Sequence, residues 1–297
     1  MLKKFRIFLL FLSIFSFIRA EIPEGYYPMT LNGKRERELK TALHLLLKDH
    51  TRIGYGGGMG GTWSVFRYSD AKSGGIVWDM YSNTVRYFTS GTYGATKGMN
   101  IEHSVPKSWW GDAADYNGTT PLTRFKYEAS YDLHHLTPAD ADANEEKSNY
   151  PLGVVSTQSW SNGVTKVGTG YINGMPTNIF EPADEYKGDF ARMYFYFVTC
   201  YQDYTWVSLG TKMFQRNDYP TLTDYARNLL LEWSRQDPVS QKEIDRNDGV
   251  YKFQHNRNPF IDFPDLPHHT NNDSRFKSPP PFPYYHLNPV YYKASSP

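Results

Sequence analysis

Residues 190–201 read Phe-Ala-Arg-Met-Tyr-Phe-Tyr-Phe-Val-Thr-Cys-Tyr, apolar nearly all the way round a helical wheel. A helix with no polar face has no side to turn to water, so it must be buried. This segment demands packing partners on every side, and a chain of 297 residues is long enough to supply them. Leu39, Ala42, Leu43, Leu46 and Leu47 repeat at helical spacing, which predicts an amphipathic helix over residues 34–49. Leu222, Tyr225, Ala226, Leu229, Leu230 and Trp233 form a second stripe, with Thr221 and Asp224 at capping-box spacing. Ser240 and Glu243 suggest a further cap after Pro238. Residues 76–81 and 85–88 flank Ser82-Asn-Thr84 and suggest a hairpin, and residues 152–180 read as short strands or loops. The run Gly54-Tyr-Gly-Gly-Gly-Met-Gly-Gly61 lacks the Gly-Lys-Ser/Thr ending of a phosphate-binding loop and reads as a flexible surface loop. No internal repeat is evident. The economical organisation is one α+β domain over residues 21–265, followed by a Pro-, His- and Asn-rich tail over 266–297.

Residues 1–20 read as a signal peptide. Lys3, Lys4 and Arg6 precede an apolar run from Ile7 to Ile18 that is too short to span a bilayer, and Ala20 suits a cleavage site. The expected location is therefore periplasmic or extracellular, with no membrane attachment after cleavage. The whole chain has 32 basic and 31 acidic residues, for a net charge of +1. Removing Lys3, Lys4, Arg6 and Arg19 with the leader leaves 28 basic against 31 acidic, a balance of −3. Such a surface does not hold nucleic acid by bulk charge; any binding must rest on a local patch. Cys200 is the single cysteine, so an internal disulfide is excluded, and its apolar setting predicts a buried side chain rather than a nucleophile.

Groups capable of chemistry concentrate in Asn100-Ile-Glu-His-Ser-Val-Pro-Lys-Ser108, Asp132-Leu-His-His-Leu-Thr-Pro138 and Ala139-Asp-Ala-Asp-Ala-Asn-Glu-Glu-Lys-Ser-Asn149. The second reads as a strand ending at Pro138, and the third has helix-forming composition. Hydrolysis of a phosphodiester needs water deprotonated near neutral pH, for which histidine is suited. It also needs stabilisation of the extra negative charge at phosphorus, which a divalent cation supplies. Mg²⁺ prefers oxygen ligands and keeps most of its waters, so Glu102 and the amide oxygen of Asn144 would suffice, with His103 beside it. Against this, adjacent residues on a strand point to opposite faces, so Glu102 and His103 share a site only if the backbone is irregular or the substrate wraps across it. By itself, a Glu-His pair in a loop is more often a solvated surface pair than a functional one. His134 and His135 on a strand would likewise face apart, which favours a structural histidine over a shared zinc.

Taken together, these segments resemble the endonuclease I family of exported bacterial nucleases, within the ββα-metal (His-Me finger) superfamily. Further blocks carry the resemblance: residues 180–192 around Lys187-Gly-Asp-Phe-Ala-Arg192, Leu231-Glu-Trp233, Asp237-Pro-Val239 and Asn256-Arg-Asn-Pro-Phe-Ile-Asp262. The likeness implies a mixed α+β fold built around a ββα-metal finger core. It implies His103 as general base, Glu102 and Asn144 as ligands of one Mg²⁺ (or Ca²⁺ or Mn²⁺), and a monomer. It implies cleavage of DNA, and also RNA, with little sequence preference, to 5′-phosphate oligonucleotides. Arg124, Lys147 and Arg192 are candidate phosphate contacts or supporting residues, and Asp132 and His134 are expected behind the site. Two other readings stay open: a zinc hydrolase using His103, His134 and His135, and a binding module in which rings such as Trp109 and Trp110 stack on sugars or bases.

Overall fold

The computed structural model describes residues 22–110, 128–204, 206, 208–271 and 273. The leader at 1–20, Arg124 and most of the tail lie outside the described residues. At the centre is the expected buried helix. Every residue from Lys187 to Cys200 is buried, including Lys187, Asp189 and Arg192.

In chain order the helices are α1 (Glu36–Leu47), α2 (Thr62–Ser69), α3 (Ala141–Lys147), α4 (Lys187–Cys200), α5 (Asp224–Gln236), α6 (Gln241–Gln254), α7 (Pro259–Asp262) and α8 (Leu266–Thr270). Among the described residues, two antiparallel sheets accompany them. One pairs β1 (Met99–His103) with β2 (Leu136–Asp140); the other is β3 (Thr157–Ser161), β4 (Lys166–Ile172) and β5 (Met175–Glu181), in that order. The fold is α+β.

α1, α5 and α7 pack on α4. α1 does so through Leu39, Leu43 and Leu47, the stripe read from the sequence. α4 crosses the end of α5 so closely at Gly188 that a Cβ there would lie 2.0 Å from the Asp237 carbonyl oxygen. Only glycine fits at that position. α6 begins with the expected cap: Ser240 accepts from the Glu243 amide, and the Glu243 carboxylate accepts from the Ser240 amide. α5, by contrast, is capped by Thr223, which accepts from the Ala226 amide, rather than by Thr221. The Thr221 hydroxyl is already engaged by the buried Lys40 and by the Asn217 carbonyl.

Three other sequence readings change. The hairpin expected over 76–88 is present only as a bridge between Ile76 and Tyr87, with the Val77 amide on the Arg86 carbonyl. α2 carries no capping side chain and is not anticipated by the pattern of the sequence. Leu266–Thr270, assigned above to the tail, form a short helix with Leu266 in the core.

Candidate active site

β1 and β2 pair in register, Glu102 opposite Thr137 and His103 opposite Leu136. The chain then passes from β2 straight into α3. Asp140 closes the strand and caps the helix, accepting from the Ala143 amide at 2.9 Å, while Arg86 holds its other oxygen at 2.5 Å. Strand, strand and helix thus form one unit.

Lys147, at the end of α3, reaches back to β1 and places Nζ 2.6 Å from Oε1 of Glu102. Its side chain is fully buried, and that of Glu102 is 11% exposed. Asn144 lies three residues before Lys147, on the same side of the helix. It is half-buried, and its side-chain amide makes no hydrogen bond to another described residue. The unit thus carries two oxygen donors, a carboxylate on β1 and an amide on α3, the helix that Lys147 ties to β1. That donor set suits a hard divalent cation.

His103 ends β1 and is 5% exposed. Its Nε2 lies 3.2 Å from the Ser130 carbonyl. A carbonyl only accepts, so Nε2 carries the proton and Nδ1 presents the lone pair. Burial, followed by the positive charge of His135, Lys107 and Lys147, holds the imidazole well below its usual range, so the ring is neutral at neutral pH. Burial pushes the Glu102 carboxyl up, against the pull of Lys147 and Lys107. Lys107 and Lys147 act on both side chains, so Glu102 and His103 occupy one electrostatic site even though they alternate along a strand.

Behind His103 lies a polar core. The Asp132 carboxylate is fully buried and accepts from the Tyr196 and Tyr201 hydroxyls, the Gln254 amide and the His134 backbone. Burial alone would raise its pKa, but His50, His134 and His135 outweigh it and hold the acid well below its ordinary value. His134 donates from Nε2 to the Asn256 carbonyl, and His135 from Nε2 to the Ala129 carbonyl. The two histidines lie in the turn before β2, not on it as the sequence suggested. α6 fixes this turn: Arg246 donates to the Leu133 and Leu136 carbonyls, and Gln254 Oε1 accepts from the Leu133 amide. His103, His134 and His135 each turn Nε2 to a different carbonyl and do not converge on one point. The metal-type donors that do converge among the described residues are His50, Asp132 and Cys200, whose ligand atoms lie within 4.8 Å of one another. The buried Cys200 thiol is pushed up by that burial and by Asp132.

Arg192 makes a two-pronged pair with Glu243, at 2.5 and 2.8 Å, and donates to the Asp237 carbonyl. A phosphate contact from it would require those bonds to break. Trp109 and Trp110 are each 1% exposed and belong to the core, which removes them as stacking surfaces. Buried Trp110 and His135 meet His103 from the core side, at 5.7 and 5.5 Å, and the exposed ring against it is Tyr55, stacked at 5.9 Å with an interplanar angle of 22°. Sequence reasoning passed it over inside the glycine run. A signal was present: a large aromatic flanked by glycines has no local core to join.

The α+β fold, with an acid, a neutral histidine and an amide gathered on a strand–strand–helix unit, has the chemistry of a phosphodiester hydrolase. The chain belongs to the Endonuclease I family, whose sequence profile matches residues 36–265. It is 32% identical to the extracellular ribonuclease of Bacillus subtilis (strain 168), over 78% of this chain and 74% of the relative. It is equally 32% identical to the extracellular ribonuclease of Bacillus amyloliquefaciens, over 82% and 76%. The extracellular deoxyribonuclease of Aeromonas hydrophila is 26% identical over 44% of this chain and 49% of its own. The protein is a nuclease. No helix among the described residues is long and apolar enough to cross a membrane.

Proposed function

We propose that this nuclease is an exported, divalent-cation-dependent endonuclease that hydrolyses DNA and RNA with little sequence preference and acts as a monomer. The observation that carries the reading is the Lys147–Glu102 bridge, which ties α3 and its Asn144 to β1 at the residue next to His103. The strand–strand–helix order supports reading this unit as a ββα-metal finger. Glu102 and Asn144 would hold the cation, Mg²⁺ by preference for its oxygen donors, with Ca²⁺ and Mn²⁺ as alternatives. When bound, it supplies positive charge to the phosphate and to the leaving oxygen.

His103 accepts the proton of the attacking water at Nδ1. Its Nε2–H on Ser130 fixes the tautomer and the ring orientation, and burial keeps the ring unprotonated, with the Nδ1 lone pair free to accept. Lys107 adds positive charge beside both residues. The products are oligonucleotides with 5′-phosphates. Export is supported by the leader-like residues 1–20 and by relatives named extracellular. RNA as a substrate is supported by relatives named ribonucleases, and DNA by relatives named deoxyribonucleases.

The test is nicking of supercoiled plasmid, run beside a structured RNA, with Mg²⁺ and with EDTA. Activity should vanish with chelator, and His103→Ala should lower the rate by roughly 10²–10⁴. Chelator-resistant nicking, or full activity in the variant, would overturn the assignment.

A further inference from the structure

The glycine run at 54–61 is a built loop. Gly54 and Gly61 bridge, Thr62 and Trp63 donate to the Gly54 and Gly56 carbonyls, and the Gly58 amide reaches the Tyr93 carbonyl. A Cβ on Gly61 would sit 2.8 Å from the carbonyl oxygens of Gly56 and Gly57, so the closure requires glycine there. The loop carries Tyr55 to the mouth of the site, where the ring stacks on His103 yet remains 43% exposed. Lys107 Nζ lies 5.2 Å from the centre of that ring. Tyr131 meets Tyr55 edge-on at 5.9 Å, and the exposed Arg52 places its guanidinium 5.7 Å over Tyr131. Cation, ring, ring and cation follow one another beside His103.

From this strip we infer a subsite for an unpaired nucleotide next to the scissile phosphate, with Tyr55 as the base-stacking platform, Tyr131 as its buttress, and Lys107 and Arg52 as contacts to the flanking phosphates. Stacking needs a free π-face, which a base inside a duplex does not offer. Cations spaced along the rings suit a backbone whose phosphates flank each base. The subsite therefore favours single strands, loops and frayed ends. It also provides the local patch that the chain's near-neutral charge requires. The inference rests on the proposed role of His103, because the strip acquires its meaning from that neighbour.

The experiment measures binding without turnover. A fluorescein-labelled dT12 strand and a 12-base-pair duplex are titrated by anisotropy, in EDTA, against the full chain and its variants. Tyr55→Ala should weaken dT12 binding by roughly 5–150-fold, the effect of losing one stacked base. Tyr55→Phe should stay near wild type, and duplex binding should change by a smaller factor. Lys107→Gln should weaken both probes and flatten the salt dependence. In turnover with Mg²⁺, Tyr55→Ala should raise KM for single strands more than it lowers kcat. Equal dT12 affinity in Tyr55→Ala and wild type would overturn the subsite, as would equal losses for strand and duplex; either leaves the role of His103 standing. Full activity in His103→Ala would remove that role while leaving the anisotropy result intact. Thermal melting of each variant separates lost binding from lost folding, and should Tyr55→Ala not fold, unchanged dT12 binding by Lys107→Gln and Tyr131→Ala would count against the proposal.

Discussion

Lys147 shows how much a single side chain can decide here. Its ammonium is fully buried and its partner nearly so, and together they join the last turn of α3 to the end of β1. A buried pair is a weak source of net stability, but removing one member leaves an uncompensated charge, at a cost of about 3–5 kcal/mol. Lys147→Met should therefore lower the unfolding free energy by about that amount. If Glu102 holds a cation, Mg²⁺ should restore more stability to Lys147→Met than to wild type, because the ion replaces the lost charge. Parallel denaturation curves with and without Mg²⁺ check this, and an equal Mg²⁺ increment in both proteins would count against Glu102 as a ligand. At this scale the sequence exposes Glu102 and His103, adjacent and chemically apt. It conceals what surrounds them. Tyr55 lies 48 positions before His103 in the numbering, and no local pattern reports a stacking contact across such a distance. Trp109 and Trp110 look like ready stacking surfaces in the sequence, but the core claims both.

Among the elements, α6 repays the closest reading. Glu243 closes the capping box of its own helix and also takes both prongs of Arg192 from the fully buried α4. The two roles differ in energy. Ser240→Ala removes one cap bond and should cost about 1 kcal/mol. Glu243→Ala also strands a buried guanidinium and should cost about 3–5 kcal/mol. Urea unfolding of both variants checks the ratio, and similar losses would show that Arg192 finds another partner. The cap at Ser240 and the stripe of α1 are legible in the sequence because both are local. The start of α5 is misread by two residues because Thr221, equally suited to cap, is held by Lys40 from α1. The β1–β2 pairing joins segments more than thirty residues apart, and composition alone does not report it. It becomes legible only through the likeness to a family.

For the whole molecule, acid stability follows from burying histidines in a polar core. Burial holds His134 at about 3 and His135 at about 4, against 6.5 for a free imidazole. Between those values and 6.5 the unfolded chain binds protons that the folded chain refuses, so stability falls as pH drops through that window and is unaffected above it. Asp132 has the opposite history: its contribution is present above its unfolded value and lost only in stronger acid. Asp79 and Asp237, raised to about 6 by burial, take up protons in the folded state first and offset part of the histidine effect. The total curve is therefore shallow and does not isolate either group. A comparison does. His134→Gln keeps a donor for the Asn256 carbonyl and cannot titrate, while Asp132, Arg246 and His50 around it are unchanged. From pH 6 to pH 4 the wild type should lose stability relative to this variant by about 1.4 kcal/mol per pH unit, the value for one proton. Paired urea titrations at several pH values measure that difference directly. A difference independent of pH would mean that His134 already carries its proton in the fold and pairs with Asp132 as an ion, and a neutral His134 beside the Asp132 carboxylate would have to be given up.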